Sequence, residues 1–214
     1  MLDIARKEFA RYVYQLRPSL DPVLVDMEAL AKEKRFPIVG PLVGQLIEVL
    51  TYLQQPRRVF EMGSGYGYSA YWFARAMPAD GEVICTGSAR SAERARQFFT
   101  RGRLAHKLRY EVGDALEVID RIPGDFDAIL IDIDKHQYPE AWRKASKRVR
   151  VGGLIITDNL LRFGFEKDHT PLNDDPDPGV QGLKEFARLA YADPNFSTTI
   201  VTVRDGVGLS VRIA

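Results

Sequence analysis

The stretch that decides the fold reads Val59-Phe60-Glu61-Met62-Gly63-Ser64-Gly65-Tyr66-Gly67-Tyr68-Ser69-Ala70. An apolar run of strand length enters a turn built on three glycines and leaves into a segment of helical spacing, so it reads as a strand, a turn and a helix. In an open α/β sheet the ligand site lies beside such a turn, outside the carboxyl ends of the strands. A dinucleotide fingerprint counted from Gly63 needs a small residue at its sixth position, where helix and strand pack closely, and Tyr68 stands there instead. No Gly-Lys-Ser/Thr follows, so the turn is not a Walker loop. What remains is a turn whose backbone can approach a small ligand, with the Glu61 carboxylate two residues ahead of Gly63. A carboxylate there suits a cationic or hydroxyl-bearing ligand better than a pyrophosphate. The plainer alternative is a strand-to-helix turn that binds nothing.

The same alternation continues outward. Strands are expected at Arg58–Met62, Glu82–Thr86, Leu108–Val112, Phe126–Asp132 and Gly153–Thr157, with helices near Tyr68–Met77, Ala92–Arg103, Asp114–Arg121, Pro139–Arg148 and Val180–Ala192. Strands this apolar have no wet face, which implies a mostly parallel sheet with helices on both faces. Ser197–Val203 and Val207–Ile213 flank Asp205-Gly206 and read as an antiparallel pair at the end of the sheet. Before Arg57 the pattern is helical. Leu2 to Leu16 is amphipathic, a second helix starts at Asp21-Pro22, and Leu42 to Leu53 follows the break at Phe36–Pro41. Without repeat or linker, residues 1–214 form one α/β domain, with 1–55 left to face substrate or a second subunit.

Composition narrows the function classes. A chain of 214 residues, 45% hydrophobic and 28% charged, is globular and not disordered. Lys+Arg 30 against Asp+Glu 29 gives no bulk attraction to nucleic acid or an anionic membrane. A lone cysteine, Cys85, excludes an intramolecular disulfide framework and any cysteine-built metal cluster. The charged first twenty residues and the lack of a long apolar run lead us to expect a cytoplasmic protein.

Two further strand ends carry polar residues that a core would not choose: Ile131 is followed by Asp132, and Thr157 by Asp158-Asn159. If these strands are parallel neighbours, the three side chains converge at the edge where the glycine turn lies. Two carboxylates and an amide carbonyl form an oxygen-only set that suits Mg²⁺, Mn²⁺ or Ca²⁺. Lys135, three residues past Asp132, reaches the same space, and an amine beside a dication has its pKa pushed down toward that of a general base. The alternative is that the acids cap helices and Lys135 is a solvated charge.

Taken with Gly113-Asp114-Ala115-Leu116, Phe126–Tyr138, Gly152–Leu161 and Asp205–Leu209, the glycine turn resembles class I S-adenosylmethionine-dependent O-methyltransferases of the cation-dependent catechol and caffeoyl-CoA type. The likeness covers about residues 36 to 214. It implies a Rossmann-like seven-stranded sheet with an antiparallel C-terminal strand, and S-adenosyl-L-methionine and a divalent cation as cofactors. It also implies a small-molecule hydroxyl acceptor and a homodimer. Val39, Glu61, Gly63 and Ser69, with Ser64 and Gly65 of the turn, match the methionine end of the cofactor site; Asp114 and Ala115 match positions beside the adenine. Asp132, Asp158 and Asn159 match the metal ligands, with Asp132 also bordering the cofactor. Lys135 matches the catalytic lysine.

Two positions depart from the family. The strand through Cys85 should end in an acid that grips the ribose hydroxyls, yet Gly87-Ser88 stand there, so Ser88 is expected to compensate in part and Gly87→Asp to tighten cofactor binding. The tryptophan expected after Asp158-Asn159 is replaced by Leu161-Arg162-Phe163. These departures sustain two rival readings, a cofactor-binding protein without turnover and, from Ser88 and Arg90, an NADP-linked oxidoreductase, which Tyr68 opposes. The acidic stretch containing Glu166, Asp168, Asp174, Asp175 and Asp177 would, if closed over the metal, disfavour a CoA ester against a small neutral phenol.

Overall fold

The computed structural model describes residues 12–16, 21–162 and 177–214. Of the first predicted helix, residues 12–15 are helical, Leu16 is a turn and residues 2–11 lie outside the described residues, as do Phe163 and the acidic stretch up to residue 176. Strands β1 (Arg58–Met62), β2 (Glu82–Gly87), β3 (Leu108–Val112), β4 (Phe126–Ile131), β5 (Val149–Thr157), β6 (Phe196–Val201) and β7 (Val207–Arg212) form one sheet in the order β3-β2-β1-β4-β5-β7-β6. The first five are parallel, and β7 runs antiparallel to both its neighbours, β5 and β6.

The helices are α1 (Pro22–Lys34), α2 (Gly40–Gln54), α3 (Tyr68–Ala76), α4 (Ala89–Arg101), α5 (Ala115–Arg121), α6 (Tyr138–Arg148) and α7 (Pro178–Ala192). Helix α1 begins as its sequence predicts: the Asp21 carboxylate accepts from the Val23 N–H at 2.8 Å and Pro22 follows it. No helix among the described residues is long and apolar enough to cross a membrane.

Period-two alternation sends successive strand residues into two cores. Val59, Val83, Cys85, Leu130 and Ile156 pack against α1 to α4, while Phe60, Ile84, Ile129, Ile131 and Ile155 pack against α5 to α7. Each such fully buried large apolar side chain contributes roughly 1.5–3 kcal/mol relative to exposure. At the end of α6 the Arg148 guanidinium donates to the carbonyls of Ile119, Ile122 and Gly124 and so closes the end of α5.

Register positions the site. Met62 pairs with Ile131 and Ile131 with Thr157, so Gly63, Asp132 and Asp158 each stand one residue beyond three aligned strand ends. The Asp132 N–H donates to the Met62 carbonyl at 3.0 Å, and the Asp158 N–H to the Ile131 carbonyl at 3.1 Å. At the other end, Asp205-Gly206 belongs to a longer loop, residues 202–206, and β6 and β7 form the expected antiparallel pair at the end of the sheet, with β6 outermost.

Candidate functional site

A cavity of about 690 Å³ opens at the carboxyl ends of β1, β4 and β5. Its walls are the 36–39 segment, the glycine turn, the turn after Asp132, Asp158-Asn159 and the β6–β7 loop. The glycine turn is fixed by Thr86: the Gly63 N–H donates to its hydroxyl at 3.1 Å, and the Ser64 N–H to its carbonyl at 3.0 Å. Gly63 sits at φ +85°, and a Cβ there would overlap the Asp132 carbonyl oxygen, so only glycine lets β1 and β4 end this close together.

Glu61 points from β1 into the core packed against α1 to α4. It is fully buried, its Oε1 has no hydrogen-bond partner among the described residues, and it does not line the cavity itself. Burial pushes its carboxyl up to about 7, with the Asp132 charge adding to the rise and the nearby hydroxyls of Ser69 and Ser64 opposing it. The unfolded chain loses this proton near its ordinary value of 4.5 while the folded chain keeps it to about 7. The Glu61 contribution to the stability of the ligand-free protein should therefore be full below pH 4.5 and fall by about 3 kcal/mol as pH rises toward 7. Urea unfolding across that range should show a fall in the wild type that is smaller by about 3 kcal/mol in Glu61→Gln, the part due to the raised Asp158 carboxyl remaining; parallel profiles would refute this account.

The polar wall is a connected chain. Lys135 Nζ donates to Asp132 Oδ1 at 2.7 Å and to the Tyr138 hydroxyl at 2.8 Å, and that hydroxyl donates to the Asp158 carbonyl at 3.0 Å. Burial and the charges of Asp132, Asp158 and Asp205 hold the Tyr138 phenol well above its ordinary value, so it remains a donor. Asp158 is buried and its Oδ1 has no partner among the described residues; burial first, then Asp132 and Asp205, raise its carboxyl well above the usual carboxylate range against the pull of Arg204. Asn159, at φ +64°, donates from Nδ2 to Asp205 Oδ2 at 2.9 Å. The Arg204 guanidinium donates to the carbonyls of Ile38 and Val39, tying the loop before β7 to the start of α2.

Of the residues singled out in the sequence, Val39, Gly63, Ser64, Gly65, Ser69, Gly87, Asp114, Ala115, Asp132, Lys135, Asp158 and Asn159 all line this cavity. Asp114 also caps α5, accepting from the Leu116 N–H at 2.8 Å. Ser88 does not line it: its hydroxyl caps α4, accepting from the Ser91 N–H at 3.2 Å. Arg90 is exposed and lies outside the lining as well. Cys85 is a buried core thiol, raised well above its ordinary value chiefly by burial.

Gly87 corrects an expectation. It lies at φ +150°, and a Cβ built on it would come within 2.6 Å of the Tyr110 hydroxyl, which donates to the Gly65 carbonyl at 2.6 Å. An acid cannot simply be restored here, since Tyr110 fills the place from which it would start and uses it to hold the glycine turn. Gly87→Asp should destabilise the protein by about 1–3 kcal/mol and weaken cofactor binding. A thermal unfolding scan beside a calorimetric titration would show it; unchanged stability with tighter binding would restore the earlier expectation.

Tyr110, Arg204 and Asp205 were not legible as site residues. Tyr110 reads as an ordinary strand aromatic, and Arg204-Asp205-Gly206 reads as turn chemistry. Among the described residues no group of three or more His, Cys, Asp or Glu side chains is placed to hold a metal. A cation would rest on the mixed set of Asp132, Asp158 and Asn159, whose hard oxygens and unpartnered Asp158 Oδ1 fit one.

The model of a family described as O-methyltransferase matches residues 23–213. A catechol O-methyltransferase of Niastella koreensis is 31% identical over 183 residues, 82% of this chain and 81% of that protein. Caffeoyl-CoA O-methyltransferase 2 of Petunia hybrida is 30% identical over 180 residues, 80% of this chain and 74% of that protein. The crystal structure of the O-methyltransferase TomG from Streptomyces achromogenes, in complex with S-adenosylmethionine, superposes with a TM-score of 0.84 at 29% identity, covering 95% of each chain.

Proposed function

The chain belongs to the O-methyltransferase family, and from that premise we propose that it moves a methyl group from S-adenosylmethionine to a hydroxyl of a small catechol-like phenol with the help of a divalent cation. The observation that carries this reading is the chain from Lys135 through Asp132 and Tyr138 to Asp158, set one residue past the aligned strand ends and facing the glycine turn. The TomG structure carries S-adenosylmethionine in the same fold, which supports the cofactor assignment.

When bound, the sulfonium supplies an electrophilic methyl whose carbon–sulfur bond breaks as the acceptor oxygen attacks, and the cation supplies Lewis acidity at that oxygen. Asp132, Asp158 and Asn159 would hold the cation, and the glycine turn, Asp114 and Ala115 would seat the cofactor. Lys135 takes the acceptor's hydroxyl proton. In its neutral form the amine has two N–H bonds, which Asp132 and the Tyr138 hydroxyl engage, so its lone pair is left to the cavity. Tyr138 contributes by anchoring the amine to the Asp158 backbone. Holding donor and acceptor in one closed site supplies most of the acceleration, because orientation is settled before attack.

Labelled methyl from S-adenosylmethionine should pass to a vicinal-diol phenol in the presence of Mg²⁺, and S-adenosylhomocysteine should give a calorimetric binding isotherm. No binding of either would overturn the reading. Binding without transfer to any phenol or diol would favour a cofactor-binding protein without turnover.

A further inference from the structure

Asn159 can present either end of its side-chain amide to the cavity, and only the carbonyl end can ligate a cation. Two further carboxylates, Asp132 and Asp205, lie close enough to Asp158 to act on it. The Asp158 carboxylate has an unpartnered Oδ1 that would welcome the amide N–H₂. In the structure the Nδ2 goes elsewhere, to Asp205 Oδ2 at 2.9 Å. We propose that Asp205 is a positioning residue that sets the orientation of the Asn159 amide, drawing the N–H₂ away from Asp158 and leaving the carbonyl oxygen to a cation. The inference rests on the cation reading above.

The loop is built for that task. The Leu161 N–H donates to the Asp205 carbonyl at 2.7 Å and the Leu160 N–H to the Gly206 carbonyl at 3.0 Å, so the 159–161 turn and the β6–β7 loop are clasped by two backbone bonds on either side of the side-chain pair. The neighbouring Arg204 binds the carbonyls of Ile38 and Val39 and lies 3.9 Å from Asp205 Oδ1, an ion pair that holds the loop's backbone more than the carboxylate. A carboxylate has only acceptors to offer, so at this distance it admits only the donor end of the amide. A side chain with both donors and acceptors would admit either. Partners of metal ligands of this kind typically change metal affinity by about 10–100-fold when removed.

The test is calorimetric titration of the full chain with Mn²⁺, with thermal unfolding in chelator as the folding control. Asp205→Ala should weaken Mn²⁺ binding by about 10–100-fold. In an Asn159→Asp background, where the ligand has no wrong end, the same Asp205→Ala change should cost about twofold or less, a non-additivity that a purely structural role would not produce. If Asp205→Ala does not fold, the isosteric Asp205→Asn is compared in both backgrounds, with about a three- to tenfold loss expected in the first and none in the second. Unchanged affinity in the single variant, or equal losses in both backgrounds, would overturn the orienting role. A wild-type chain that binds no Mn²⁺ would overturn the cation reading itself, so the two failures are distinguishable.

Discussion

Lys135→Ala should lower kcat by about 10²–10⁴-fold, the range usual for a positioned general base, while the affinity for S-adenosylhomocysteine holds. The physical reason lies in what Lys135 touches. Its amine is held by Asp132 and Tyr138, at 2.7 and 2.8 Å, and among the described residues no other lysine lines the cavity. Removing it also frees Asp132 Oδ1 from an ion pair, so affinity for a divalent cation should stay level or rise as turnover falls. That opposition of signs separates a proton acceptor from a residue that merely shapes the wall. Lys135→Arg should not rescue, because a guanidinium keeps its proton throughout the working pH range. Initial rates at saturating cofactor, set beside a Mn²⁺ titration, read both effects. A kcat within threefold of wild type would remove Lys135 from the chemistry.

Excess chelator should stop turnover, by on the order of 10³-fold for several kcal/mol of lost Lewis-acid stabilisation, and added Mg²⁺ should restore it. Cofactor binding should survive, since the glycine turn, Asp114 and Ala115 owe their positions to backbone bonds within the sheet and to the capping of α5. Ligand-free Asp158 is held above the usual carboxylate range by burial and by Asp132, so cation uptake should also release protons into a weakly buffered solution. Full turnover in excess chelator would exclude the metal role, and a loss of S-adenosylhomocysteine binding on chelation would show that the two sites are not separable.

How far the sequence reached depended on the range of the contacts. The strand, turn and helix around Gly63 were legible because periodicity, glycine placement and the following helix are local signals, and Arg58–Met62 and Leu108–Val112 match their predicted bounds. Asp132, Lys135, Asp158 and Asn159 were legible because polar residues directly after apolar parallel strands must emerge at one edge. The relation of Gly87 to Tyr110 was not, since it depends on the register of β2 against β3. Nor was the loop after β6, where Arg204 binds residues 166 and 165 positions earlier in the chain and Asp205 binds Asn159 across 46. Tyr138 had no assigned role from sequence, and the structure supplies one as the anchor of the Lys135 amine.

The place of β7 bears on the order in which the molecule assembles. It follows β6 in the chain yet lies between β5 and β6, pairing Leu154 with Val211 and Val201 with Val207. During synthesis β5 therefore waits with an open edge until the ribosome has delivered the hairpin partner that belongs beside it. Asp205, which precedes β7, meets Asn159 only when that late pairing closes. The Asn159–Asp205 pair thus depends on β7, and a chain arrested before β7 would carry its glycine turn and its lysine but not the clasp that orients the amide.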